Sequence, residues 1–508
     1  MRSDSAARGS GNRRGGRPTP VGPRLRVVLA VLFALVALMG VNSVYLVSIS
    51  LAEWWTGNRY EDWFYLIMFL LHLGLGLLIV VPLIVFGIGH FRNARHHPNR
   101  RAARVGIALF ITAWILLGSG LLLTRGIIDV RDPGLRQTLY WIHVIAPVAV
   151  VWLYILHRLA GMPIRWRVGL AWAGVAAGFA GLMLVMQAQD PRQWNVVGPD
   201  SGETYFFPSL ARTTTGNFID ARVLDNDEYC LECHADIHDS WSHSVHRFSS
   251  FNNPPYLFSI IETRRVLMER EGNVTGARFC AGCHDPVPFF SGAFDDPKFD
   301  DPNYDLANDP LANAGITCTA CHAISHVNSP RGNADYTIDE PIHYPFTFSD
   351  NPVLRWVNRQ LITSKPEFHK ATFLKPLHTS AEFCGACHKV HLPVELNDYR
   401  WLRGQNHYDS FLLSGVSGHG VSSFYYPPKA ETNCNGCHMP RRAIPPGEAH
   451  RNLAATWDET LDALAATDHQ FPSANTAIPM LRKDAMRDWE GAVEAHQEFL
   501  EGVMRVDL

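Results

Sequence analysis

The sequence predicts a mostly α protein in two parts: a five-span transmembrane helical bundle, then a loop-rich α-helical domain packed around cofactors. Three observations carry this reading. Five apolar stretches, at roughly 25–50, 63–90, 104–124, 139–160 and 168–187, are each long enough to cross a bilayer. Beyond the last of them, all ten cysteines fall into five copies of Cys-x-x-Cys-His. The charge divides at the same place. Residues 1–187 carry 19 Lys+Arg and 6 Asp+Glu, a net of +13, whereas residues 188–508 carry 26 and 42, a net of −16. A chain of 508 residues exceeds what one core organises. Its parts read as a disordered basic head (1–24), a membrane domain (25–187), a linker (188–229), a cofactor domain (230–451) and a C-terminal helical segment (452–508).

The head is rich in Gly, Pro and Arg, with Arg2, Arg8, Arg13, Arg14 and Arg17. It has the charge of a signal sequence, but the apolar part is too long for a cleaved signal and no small-residue cleavage site follows. The first span is therefore read as a retained anchor. Loop arginines set the orientation. The connection between the second and third spans (FRNARHHPNRRAAR) has five Arg and no acid, and the next connection on that side has Arg158, Arg165 and Arg167. The alternate loops hold Glu53, Glu61 and Asp62, then Asp129 and Asp132. The expected topology has the N-terminus in the cytoplasm and residues 188–508 in the periplasm, at a bacterial inner membrane.

A titratable side chain inside a span is costly and marks function. The second span has His72 and His90, and the fourth has His143 and His157. Eighteen residues separate the first two, five whole turns, so they leave one helix face about 27 Å apart. Fourteen separate the second two, about 21 Å with a small angular offset. The two spans run in opposite directions. His72 therefore pairs with His143 near the outer side, and His90 with His157 near the inner side. Two haems b, each ligated from both helices, are expected. Tilt and a kink at Pro82 absorb the difference in spacing, and Gly74 and Gly76 beside His72 let a flat macrocycle approach the backbone.

The five motifs are CLECH (Cys230, Cys233, His234), CAGCH (Cys280, Cys283, His284), CTACH (Cys318, Cys321, His322), CGACH (Cys384, Cys387, His388) and CNGCH (Cys434, Cys437, His438). This is the attachment signature of c-type haem. The two thiols form thioethers with the haem vinyl groups, and the adjacent His sits under the iron. A disulfide framework gives no reason for a His after every second Cys. Five CxxC pairs also make an odd number for Cys₄ zinc sites. Five haems c within the 209 residues from Cys230 to His438 leave little peptide per cofactor. The haems are then the core, wrapped by short helices and loops such as 295–310. Motif spacing is irregular, so no tandem repeat is present.

Each haem c iron needs a sixth ligand, and residues 188–508 hold thirteen His outside the motifs. His246 is best placed, in DSWSHSVHRF just after the first motif. His378 lies six residues before Cys384. His469, His343, His407 and His419 are further candidates. The segment 452–508 has amphipathic helical stretches and no motif, and its abrupt end at VMRVDL points to a further region beyond it.

Two resemblances follow from these residues. The fourth span, WIHVIAPVAVVWLYILHR, and the His72 span resemble the di-haem cytochrome b subunits of formate dehydrogenases and nickel-iron hydrogenases over about 130 residues. That family takes one inner-haem ligand from its first span. Here the first span has no His, and His90 stands in. The resemblance implies electron exchange with membrane quinone. Trp241-x-x-Ser244-x-His246, the segment LHTSAEFCGACH, CNGCHMP and DHQFPSANTAIP resemble the cytochrome c554-like multihaem family over most of 225–480, which implies a membrane-bound pentahaem cytochrome c.

The expected function is an inner-membrane, quinone-linked cytochrome b/c conduit, a quinol:acceptor oxidoreductase in enzymatic terms, with quinone as its substrate. Two b and five c haems would carry electrons between the quinone pool and a periplasmic or membrane-associated redox protein. The acidic outer half argues against nucleic acid and for a basic partner. The alternative is a terminal reductase of nitrite or hydroxylamine type, with the membrane part as an anchor. No CxxCK motif is present to mark such a site.

Overall fold

A computed structural model describes residues 21–502, apart from 95–97, 125–127, 129, 131, 161–165, 195–196, 425–429 and 450. Most of the basic head, Arg165 and the end of VMRVDL lie outside the described residues. The fold class is the mostly α one that the sequence predicts, and the chain divides into two compact units. The first comprises Met1–Asp190 with His343–Pro366, and the second Pro191–Ile342 with Glu367–Leu508.

Five long apolar helices dominate the first unit: α1 (Pro23–Thr56), α2 (Trp63–Ala94), α3 (Arg100–Leu123), α4 (Pro133–Leu159) and α5 (Trp166–Gln187). Their surfaces show why these are membrane spans. Val44 is 70% exposed, Val148 71% and Leu184 73%, which is stable only against hydrocarbon. Local chemistry marks the ends. Gly57 closes α1 in the left-handed region (φ 70°), donating its N–H to Glu53 O. Asn99 caps α3 by accepting from Ala102 N at 3.0 Å, and Asp132 caps α4 by accepting from Leu135 N at 2.6 Å. α1 packs along α2 and α5, and α3 packs along α4. Pro82 and Pro147 lie inside α2 and α4 without ending either helix.

The segment His343–Pro366 groups with these helices rather than with the rest of 230–451, so the cofactor domain expected as one block is interrupted. Its helix Pro352–Ser364 is capped by Asn351 and buries Asn358 and Leu361. Lys365, just beyond it, forms an ion pair with Glu61 at 3.1 Å.

In the second unit, short helices and long loops surround three small sheets. β1 (Arg212–Thr213) runs parallel to β3 (Tyr336–Ile338), which pairs antiparallel with β2 (Ile324–Val327). β4 (Lys389–Leu392) pairs with β5 (Leu402–Asn406). β8 (Ala463–Thr467) lies between β6 (Arg441–Ala443) and β7 (Thr456–Asp458). The main core joins Phe206, Phe289, Phe290 and Phe294 to Leu224, Ile260 and Ile338, with Cys280, Cys283 and Cys387 packed at its edge. Arg264 is fully buried and holds Asp300 through two 2.7 Å contacts while donating to Phe294 O. Gly332 (φ 79°) is obligatory, because a Cβ there would lie 1.9 Å from Lys389 O.

Candidate functional site

The site is a set of paired imidazoles, built differently in the two units. Two imidazoles on opposite faces of one iron have ring centres about 6 Å apart, because each metal–nitrogen bond is about 2 Å and each ring adds about 1 Å.

Within the membrane unit, the His72 and His143 rings are 6.0 Å apart and the His90 and His157 rings 6.1 Å apart. The four positions named from sequence are thus brought together in the pairs expected. Three of the four are oriented at Nδ1. His72 Nδ1 meets Asn42 Oδ1 at 3.1 Å, His143 Nδ1 meets Leu116 O at 3.2 Å, and His157 Nδ1 meets Ala102 O at 3.1 Å. A ring that donates from Nδ1 keeps its Nε2 lone pair for a metal. Asn42 on α1 is fully buried and also donates to Met68 O, so the span without a His still orients one. The glycines that admit these rings are on α3. A Cβ at Gly120 would lie 2.9 Å from His143 Cε1, and one at Gly106 3.0 Å from His157 Cε1. Gly74 has no neighbour within 4 Å, and Gly76 meets only Met39 at 3.6 Å.

Around the motifs, loops and backbone bonds do this work. His284, His322 and His438 each direct Nδ1 at a carbonyl: Ser249 O at 2.9 Å, Phe373 O at 2.5 Å and Pro472 O at 2.8 Å. The motifs are tied to one another out of chain order. Cys318 N donates to Asp227 Oδ1 at 2.8 Å, joining the third motif to the helix Asp227–Leu231 that carries the first. Tyr336 Oη donates to Gly282 O at 2.6 Å and Ala334 N to Ala386 O at 2.9 Å, joining the second motif to the fourth. Burial pushes the Asp285 carboxyl, beside His284, up to about 7, against its hydrogen bonds with Tyr256 and Ser250.

Second imidazoles come from distant loops. His246 lies 6.1 Å from His388, in the fourth motif, although it follows the first. Its loop is fixed by Trp241 Nε1 donating to Ile316 O and Ile316 N donating to His246 O, both at 2.9 Å. His407 is also near His388, at 5.7 Å. His322, in the third motif, has His469 at 6.3 Å and His378 at 4.8 Å, the latter too close to share an iron in this arrangement. His234, in the first motif, faces His369 at 6.1 Å with the rings nearly parallel. Burial, reinforced by neighbouring imidazoles, pushes His246 and His322 down to about 3, and His369 and His388 down to about 4. All four are thus neutral, the form that ligates a metal.

The remaining named histidines lie elsewhere. His343 belongs to the membrane unit, where its ring meets the edge of Phe348, and His419 is exposed. Two residues escaped the sequence reading. His369 sits on the short helix Pro366–Phe373 with no motif beside it. His496 is fully buried on the helix Trp489–Leu500, with Nδ1 at 3.0 Å from Ser473 O and no hydrogen-bond partner at Nε2. Ser473 adjoins Pro472, which holds His438, and Phe499 on the same helix lies 5.1 Å from His438. A buried His on an otherwise ordinary amphipathic helix was the available signal.

Comparison with protein-family models, characterised proteins and solved structures finds no match for this chain. The functional argument therefore rests on these side chains. Among the described residues, no group of three or more His, Cys, Asp or Glu converges on a metal-sized point. Pairs are what a haem iron uses, because the macrocycle supplies its other four nitrogens.

Proposed function

We propose that this membrane protein is a quinone-linked cytochrome b/c electron-transfer protein of the bacterial inner membrane, with two haems b in the bundle and five haems c in the periplasmic unit. The observation that carries the reading is the coincidence of five complete Cys-x-x-Cys-His motifs with imidazole pairs near 6 Å both in the bundle and beside the motifs. Haem supplies one-electron chemistry at iron. The chain would bind it through ten cysteines, orient the His284, His322 and His438 rings through Nδ1, and tune it through burial and hydrogen bonds. His72 and His143, held by Asn42 and Leu116 O, would bind the outer haem b, and His90 and His157 the inner one. His234 with His369, and His388 with His246, would ligate two of the c haems.

The location of the two sets explains why they share a chain. A lipid-soluble carrier reaches the bundle but not the periplasmic unit, so electrons cross from one to the other without a diffusing intermediate. The negative charge of residues 188–508 favours a basic acceptor, with association weakening as salt screens it. Stopped-flow reduction by a quinol analogue in proteoliposomes tests this, with b and c bands followed separately. Reduction of b before c is expected. A chain whose haems are neither reduced by quinol nor oxidised by quinone would overturn the reading.

A further inference from the structure

One charged group in the membrane unit has no part in holding the imidazoles. Lys365, from the segment that returns to the bundle, donates to Glu61 at 3.1 Å and to the Tyr65 hydroxyl, and lies 4.6 Å from the Tyr65 ring centre and 5.2 Å from that of Phe69. The Lys365 and Glu61 side chains are 23% and 10% exposed, and Tyr65 is buried. A pair so far removed from water loses much of its attraction to desolvation, so stability is a poor reason to keep it. Its position suggests another reason. Tyr65 and His72 are seven residues apart on α2, which puts them on one face two turns apart, about 10 Å. Trp54 and Trp55 at the end of α1, and Tyr140 and Trp141 near the start of α4, are exposed at this same end of the bundle. Such aromatics mark the interface where an amphipathic ring rests.

We propose that Glu61, Tyr65 and Lys365 form the headgroup site of a membrane quinol, with Glu61 as the base that takes its protons; this rests on the quinone-linked reading above. Oxidation of one quinol to quinone breaks two O–H bonds and releases two protons and two electrons. The electrons leave one at a time toward the iron that His72 and His143 would ligate. Each proton passes to the Glu61 carboxylate and from it to water on the side where Lys365 enters. Lys365 holds Glu61 in place, and the Tyr65 hydroxyl hydrogen-bonds the quinol oxygen.

The test uses the holoprotein in proteoliposomes, as wild type and as E61Q, K365M and Y65F. Duroquinol is the reductant, and a fluorescent inhibitor of the hydroxyquinoline N-oxide class reports binding by quenching. E61Q is expected to slow haem reduction roughly a hundred-fold and to flatten its rise with pH. K365M and Y65F are expected to weaken inhibitor binding about ten-fold, the loss of one charge-assisted hydrogen bond. Should E61Q fail to retain its non-covalent haem, the binding measurements on K365M and Y65F decide the matter. If the variants that retain haem bind and react as wild type does, while wild type is reduced, the site assignment falls alone. If duroquinol never reduces wild type, the quinone-linked reading falls and this assignment with it.

Discussion

The bundle and the unit that carries the motifs arrive at the same 6 Å imidazole spacing by opposite routes. In the bundle both rings of a pair come from long helices, and helical periodicity alone puts His72 and His90 on one face. Around the motifs, the second ring comes from a segment far away in sequence, the short helix with His369 for His234 and the loop with His246 for His388. A cofactor held only by coordination needs both ligands on rigid elements before it binds. One attached through thioethers is already in place, and its second ligand has only to fold onto it. The two regions should therefore respond differently to loss of a ligand.

The sharpest contrast comes from removing ligands. H72A or H143A should abolish one of the two acid-acetone-extractable haems and leave the covalent count at five by intact mass. An unchanged extractable haem content would break the comparison on the membrane side. In the motif-bearing unit, H369A should keep every covalent haem, because the cysteines would still hold it, but convert one low-spin EPR signal to high-spin. H343A should leave the low-spin set intact, since that residue belongs to the membrane unit. If H343A changes the spin state and H369A does not, the assignment made from ring spacing is wrong.

Smaller effects sharpen the picture. H496A should shift the signal of the haem at the fifth motif through the Pro472–Ser473 loop that holds His438, with little effect on the others, which EPR at stoichiometric resolution would detect. N42L should retain both extractable haems but move the midpoint of one in a potentiometric titration, by the equivalent of about 1 kcal/mol for a lost hydrogen bond to His72. The smallest change is expected of G120A. The added methyl would press on His143 Cε1, turning that ring by a few degrees, so only the g-values of one b haem should shift.

The bundle was legible in the sequence because its rules are local. Apolar length defines a span, and a fixed rise per residue makes His72 and His90 comparable with His143 and His157. What escaped was packing between helices: Gly106 and Gly120 on α3 make room for the His157 and His143 rings. In the motif-bearing unit the reach was shorter. His246 was singled out for its Trp-x-x-Ser-x-His setting, yet which motif it faces depends on Ile316 bonding back to its carbonyl, a contact across the chain.

The sequence by itself determined the five Cys-x-x-Cys-His motifs, the five spans and the pairing of the four membrane imidazoles, because short motifs and helical periodicity act over a few residues or along one axis. Only the tertiary structure decided that His369 faces His234, that His496 is buried against Ser473 beside the loop that holds His438, that His343 groups with the membrane helices, and that Lys365 returns to Glu61. Those choices depend on where loops close, and loop closure is governed by long-range hydrogen bonds and burial that no local pattern encodes.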